Sequence, residues 1–482
     1  MSSPRSRTLS RSARLAGAAF AATALVGGMA HGQEEVTPPP EPLPEEPPDP
    51  GIGSGPRPDG AIAAFAQLGE RVLFTAADAR GFELWATDGT RAGTAHLADL
   101  DPDGSSQPGS FLGTGERIYF AATTAAAGRE LWATDGTADG TAQVADLNPG
   151  ADSSFPQDLV ALGERVLFVA NDGAAGTELW SLTEGAPALL ADLRPGVAGS
   201  DPSDLVVVGA TLYFTADDGT HGRELWSTDG TAAGTRLVVD LLPGAASSDP
   251  YGLVPFGGGV AFAADDGTAG FEPWRSDGTG AGTTRIVDLF EGAAGSEPDG
   301  LVVVGKHLYF AAGDAAHGRE LWVSDGTATG TRLVVDLRPG PGSSDPRDLV
   351  AVGDRLAFTA DDGEHGREPV SSDGTAAGTW VDDLRPGPES SRPKALYTWR
   401  GGLFLAADDG TSGSELWHDT GGGAYRLGDL FTGPEGSSPG AFIPCGDRLL
   451  FGADYRSADY GTLLWSTDGR PAWTQPLSYA RL

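Results

Sequence analysis

Apolar residues come in short bursts along this chain, separated by turns rich in glycine and aspartate. One stretch shows the pattern plainly. Asp204–Val208 is closed by Gly209, and Leu212–Ala216 by Asp217-Asp218-Gly219. Glu224–Thr228 is closed by Asp229-Gly230, and Arg236–Leu241 by Pro243-Gly244. Each run is five or six residues long, rich in β-branched and aromatic side chains and bounded by strand breakers. The pattern predicts four strands, termed a, b, c and d in chain order. No window holds a sustained helical period, so helices are not expected.

The four-strand pattern recurs from residue 61 onward. Its most regular mark is a tryptophan, at Trp85, Trp132, Trp180, Trp226, Trp274, Trp322, Trp417 and Trp465. Successive gaps are 47, 48, 46, 48, 48, 95 and 48 residues. The double gap holds Val370 at the skipped position, inside GREPVSSDGTAAGTW. Residues 61–482 therefore hold nine units of about 47 residues. Four short antiparallel strands per ~40–50 residues is the arithmetic of a β-propeller blade, whereas solenoid repeats are shorter. One blade cannot bury both faces, so neighbours stacked around a ring must supply the core. An open array would leave edges exposed, so the expected fold is an all-β, closed propeller of nine four-stranded units. The third unit diverges, with Thr183-Glu184-Gly185 in place of its turn, and so does the last, which lacks DLxPG.

The unit resembles the ELWxxDGT repeats of secreted bacterial proteins. The resemblance rests on ELWATDGTRAGT at Glu83–Thr94, ELWATDGTADGT at Glu130–Thr141, ELWSTDGTAAGT at Glu224–Thr235 and ELWVSDGTATGT at Glu320–Thr331. It covers essentially all of residues 61–470. It implies an exported repeat protein and supplies no reaction, so no catalytic residue is carried over.

The first 32 residues follow another pattern. Arg5, Arg7, Arg11 and Arg14 precede a small, apolar run from Leu15 to Ala30, and Ala30-His31-Gly32 offers a cleavage site before Gln33. This order describes a secretory signal peptide over residues 1–32, and the run is short for a membrane span. Residues 33–60 are Pro- and Glu-rich with little to bury, which reads as a disordered linker. No transmembrane segment is expected once the signal peptide is removed. The protein is expected outside the cell, in the periplasm or at the cell envelope, as a monomer.

Composition narrows the function. The chain of 482 residues carries 67 acidic against 32 basic residues, only two of the latter being lysines, Lys306 and Lys394. A formal charge of −35 argues against nucleic acid as a partner. A single cysteine, Cys445, excludes a disulfide framework and is read as a small buried hydrophobe. Glycine reaches 72 residues because DGT, DDG, GT and PG turns recur in most units, where Asp-Gly supplies positive φ without steric cost.

In a propeller the b–c and d–a loops share one face. The b–c loops hold Asp217, Asp218, Asp265, Asp266, Asp361, Asp362, Asp408 and Asp409, and the d–a loops add Asp201, Asp249, Glu297 and Asp345 before prolines. Clustered carboxylates with backbone carbonyls suit calcium, so the eight b–c aspartates are calcium candidates. The alternative is that they shape turns by bonding their own backbone, and no complete DxDxDG loop is present. His221, His317 and His365 share one unit position; scaffold is the simpler reading. The Arg-Glu step at Arg129-Glu130, Arg223-Glu224, Arg319-Glu320 and Arg367-Glu368 suggests structural salt links between strands or blades. The repeated tryptophans read as inter-blade core.

GSSPG at Gly436–Gly440 matches the letters GxSxG, but no helix is expected after it to make a nucleophile elbow, and no HExxH, Walker or dinucleotide motif occurs in the chain. The sequence thus predicts a non-catalytic binding or scaffolding module with an unknown protein or polysaccharide ligand. The alternative is an extracellular propeller hydrolase or lyase acting on a polymer, which would need convergent, non-repeated polar groups in one deep pocket.

Overall fold

A computed structural model describes residues 65–78, 80–183, 185–455 and 462–477. The signal peptide at 1–32 and the linker at 33–60 lie outside the described residues, as do 61–64 at the start of the first unit. Thirty-six strands form nine separate four-stranded antiparallel sheets, each from consecutive chain. In the fourth blade the strands are Ser203–Val208, Thr211–Asp217, Arg223–Thr228 and Arg236–Val239, within two residues of the sequence boundaries.

The a strands of successive blades lie side by side around the axis, as Ser203–Val208 does with Tyr251–Phe256. The ring closes. Phe65–Leu68 of blade one meets Gly440–Cys445 of blade nine, and Val72 and Phe74 share a core with Leu450, Leu464 and Cys445. Among the described residues no strand is shared between the first and last blades, and side-chain packing joins them. Cys445 is buried at this seam, its Sγ 3.6 Å from the Glu70 carbonyl.

Alternation along strand b sends one side chain toward each neighbouring blade. A phenylalanine sits fully buried in every b strand, from Phe74 and Phe120 to Phe404 and Phe451. Phe214 packs with Leu167, Leu179 and Leu212, so the core lies between blades three and four. In blade eight the phenylalanine comes one residue early: Leu405 stands opposite Trp417, and Phe404 opposite His418. The one-residue change turns Phe404 toward blade nine, where it joins Leu449 and Phe451. The ELW tryptophans are core residues, as expected. Trp226 packs against blade three, and the indole N–H groups of Trp180, Trp274, Trp322, Trp417 and Trp465 donate to alanine carbonyls at 3.0–3.1 Å.

The outermost strand is shorter than the sequence suggests. Strand d is two residues in blades five, eight and nine. In blade five Pro273 replaces the leucine of ELW and has no N–H to give. Its carbonyl still accepts Ile286 N at 2.8 Å, so the missing donor faces only the edge strand, where proline is tolerated.

Candidate functional site

The glutamate of ELW holds the b–c/d–a face together. Glu83, Glu130, Glu178, Glu224, Glu272, Glu320, Glu368 and Glu415 are all completely buried. Glu224 shows the arrangement. Ser248 in the following d–a loop donates its N–H to Oε1 at 2.9 Å and its hydroxyl to Oε2 at 2.6 Å, and Leu241 N–H donates to Oε2 at 3.1 Å. The Ser248 carbonyl then accepts Asp265 N–H from the next blade at 3.0 Å. Each such serine therefore ties one blade's strand c to the next blade's strand b. Ser154, Ser200, Ser296, Ser344 and Ser437 repeat the same set of contacts.

The expected structural salt links appear in part, with Asp345 rather than the glutamates as partner: Arg319 and Arg367, on adjacent blades, meet it at 3.7 and 3.1 Å. The glutamates bond serine and backbone N–H instead. Arg129, Arg223, Arg319 and Arg367 donate to the carbonyls of Gln107, Asp201, Glu297 and Asp345. Those acceptors precede proline and hold φ of 44–51°, an uncommon region for residues other than glycine. Burial pushes the carboxyls of Glu130, Glu178, Glu224, Glu272, Glu320 and Glu415 upward despite their donors. For the same reason Glu368 is raised to about 7. At this position the partner hydroxyl, Ser391 Oγ, is buried without a hydrogen bond.

Blade nine lacks the glutamate. Leu463 occupies the position, opposite Ala453 as Glu415 is opposite Ala407, and it is fully buried. The substitution was visible in the sequence as TLLWST, but its meaning depends on knowing what the glutamate binds.

The eight b–c aspartates lie where the sequence placed them, and their oxygens are engaged in turns. Oδ1 of Asp217, Asp265, Asp361 and Asp408 each accepts the N–H two residues on, at 2.7–2.8 Å. Oδ1 of Asp218, Asp266, Asp362 and Asp409 each accepts two successive backbone N–H groups. Several second oxygens face cations. Asp217 meets Arg194 at 2.7 Å, Asp266 meets Arg285 at 3.3 Å, and Asp409 meets Arg426 at 3.1 Å. Asp218 and Asp362 bond His221 and His365 at 2.7 Å, and Asp314 bonds His317 at 2.8 Å. Each hydrogen bond raises its imidazole's pKa. The three histidines thus stay within their own loops. Among the described residues no group of three His, Cys, Asp or Glu is arranged to hold a metal ion.

The opposite face carries the a–b and c–d loops, and here the DGTxxGT sequence forms a closed turn. Asp229 Oδ1 accepts both Thr231 N–H and its hydroxyl, Thr231 Oγ1 accepts Gly234 N–H, and Thr228 and Thr235 share a 2.8 Å bond. The turn's first glycine is fixed by its neighbour as well as by φ. A Cβ on Gly278, at φ +88°, would stand 2.5 Å from Tyr213 Oη in the preceding blade.

This second face also holds a cleft of about 600 Å³ spanning blades four to six. Its lining includes Phe256, Gly257, Gly258, Arg275, Asp277, Lys306 and Asp325. Sequence reasoning passed over it, because the residues are separated along the chain and the repeat pattern drew attention to the acidic loops.

No protein-family model and no curated protein matches the chain. Solved structures do resemble it. The computationally designed Ika8 protein is 17% identical over 72% of this chain and 93% of its own, with a TM-score of 0.40. Puromycin hydrolase is 17% identical over 72% of this chain and 58% of its own, at 0.39. The β-propeller domain of the Trilobed protease from Pyrococcus furiosus is 9% identical, covering 67% and 95%, at 0.36. The chain thus spans under two thirds of the length of the puromycin hydrolases it matches. At these identities and TM-scores no activity transfers from them.

Proposed function

We propose that this chain is an exported, acidic, non-catalytic propeller that binds or scaffolds at the cell envelope or outside the cell. We place its repeats with the ELWxxDGT repeats they resemble. The observation that carries this reading is uniformity. One Glu–Ser lock and one set of aspartate turns recur around the b–c/d–a face, leaving polar groups spent on scaffold, whereas a catalytic centre in such a ring needs one blade to break the pattern with convergent groups. Side chains free to vary stand on the loops. Phe155 and Val197, at consecutive blade junctions, are 62% and 79% exposed and suit contact with a large partner.

The test is co-sedimentation of the full-length chain with insoluble extracellular polysaccharides, with soluble products measured in the same tubes. Retention without product is expected, and Phe155→Ser with Val197→Ser should weaken it. Catalytic release of soluble fragments would overturn the reading in favour of a hydrolase or lyase. Export is tested separately by sequencing the secreted protein's N-terminus, which should begin at Gln33.

A further inference from the structure

The cleft on the a–b/c–d face exists because two adjacent units depart from the template there. At the start of strand b most units place an arginine that fills the seam to the next blade. Arg71 donates to the Gly136 carbonyl at 2.9 Å, and Arg165 lies against Gly230. Blade five has Gly259 instead, and its a–b turn, Gly257-Gly258, has open space around both residues. In the two flanking blades, four and six, strand d adds a second filler. Arg236 and Arg332 reach the carbonyls of Gly278 and Gly374 at 3.4 and 2.8 Å. Blade five has Thr284 at that register, opposite Arg275 on strand c, where blades four and six have Ser227 and Val323.

Charge departs from the template as well. The a–b turn carries Glu70, Glu116, Glu164, Asp354 and Asp447 in other units, and blade six carries Lys306. One of only two lysines in a chain of charge −35 therefore replaces an acid beside a misplaced arginine. Arg275 and Lys306 are both exposed into the cleft, and neither is tied up by a hydrogen bond or ion pair to a described residue. Val208, Pro255, Phe256 and Val303 add apolar lining to the same cleft. Asp277 and Asp325 stand on two different blades at the rim. Each gives Oδ1 to its own turn, leaving the second oxygen to accept from a ligand.

We propose that this cleft binds the carboxylate of an acidic sugar, a uronic acid unit. Arg275 offers a planar pair of donors to the carboxylate and Lys306 a point charge. The sugar hydroxyls donate to Asp277 and Asp325, and the apolar ring face rests on Phe256. The volume matches a small-molecule site. The site is separate from the b–c/d–a face and stands or falls independently of it.

The experiment is calorimetric titration of the full-length chain with trigalacturonate, with maltotriose as the uncharged control. Trigalacturonate should bind and maltotriose should not. Lys306→Glu restores the template acid and Arg275→Ser restores the residue of blade four. Each should weaken binding at least about tenfold, the loss of one charge-assisted contact. Both residues are exposed, so melting temperatures should not move. Absence of binding by the unaltered protein, equal binding of maltotriose, full affinity in both variants, or tighter binding of a free amino acid such as glutamate would each overturn the proposal.

Discussion

Glu224 and Ser248 meet through two hydrogen bonds, at 2.9 and 2.6 Å, although 24 residues separate them. The serine's carbonyl continues the chain of contacts to Asp265 in the next blade at 3.0 Å. A buried acid thus does in this ring what a shared strand could do: it fixes one blade against another. Replacing Glu224 by Leu would leave the Ser248 N–H and hydroxyl buried without an acceptor and the half-buried Leu241 N–H without its partner. The expected cost is roughly 2–6 kcal/mol, since each of the two buried donors costs about 1–3 kcal/mol. Denaturant unfolding of Glu224→Leu against Glu224→Gln checks it, with the glutamine variant retaining part of the stability.

The inverse experiment uses blade nine. Leu463 is fully buried where the other blades carry the glutamate. Leu463→Glu should lower the melting temperature at neutral pH and recover partly near pH 4, where the carboxyl is protonated. Equal stability at neutral pH would mean that blade nine can find donors of its own.

Stability should be greatest in mild acid. Glu130, Glu178, Glu224, Glu272, Glu320 and Glu415 have folded pKa values above their unfolded ones, and Glu368 is raised to about 7. Between those two values the folded state holds more protons, so stability falls as pH rises through that interval. The turn aspartates oppose this at lower pH. Hydrogen bonds from Thr137, Thr231, Thr279, Thr327 and Thr375 lower the pKa of Asp135, Asp229, Asp277, Asp325 and Asp373, and their contribution is lost as pH falls below the ordinary carboxylate range. A melting-temperature profile should therefore peak near pH 5 and decline toward pH 8. A flat profile across that range would contradict the glutamate shifts.

Two glycines separate backbone strain from inter-blade contact. Gly278 and Gly258 have φ of +88° and +86°, but a Cβ would strike Tyr213 Oη only at Gly278. Gly258→Ala should cost about 1 kcal/mol from its backbone conformation. Gly278→Ala should cost about 1–3 kcal/mol more, because Tyr213 must also move. Thermal unfolding of the two variants side by side gives the difference.

The b–c aspartates give a test that needs no variant. Their Oδ1 atoms accept turn N–H groups, as at Asp217 and Asp218. Adding millimolar calcium to metal-free protein should then leave the melting temperature unchanged. A rise of several degrees would show that these loops exchange turn donors for an ion.

By itself the sequence determined the period, the four strands per unit, the nine-fold count and the buried tryptophans. These follow from local rules: alternation, strand-breaking turns and the spacing of one aromatic. Closure of the ring was an inference from the exposed edges an open array would leave, and the packing of Val72 and Phe74 against Leu450 and Leu464 realises it. Partner choice belonged to the tertiary structure. Glu224 stands next to Arg223 in the chain, yet adjacent strand residues point to opposite faces, and the glutamate's donors arrive from a loop 24 residues away. The cleft was equally beyond local reading. Gly259, Arg275 and Lys306 each look like minor drift within a repeat, and only the packing of blades five and six brings their departures together around one space. Repetition makes a fold legible because every unit restates the same local rules; a site in such a ring is a departure from those rules, and its position is set by contacts between units.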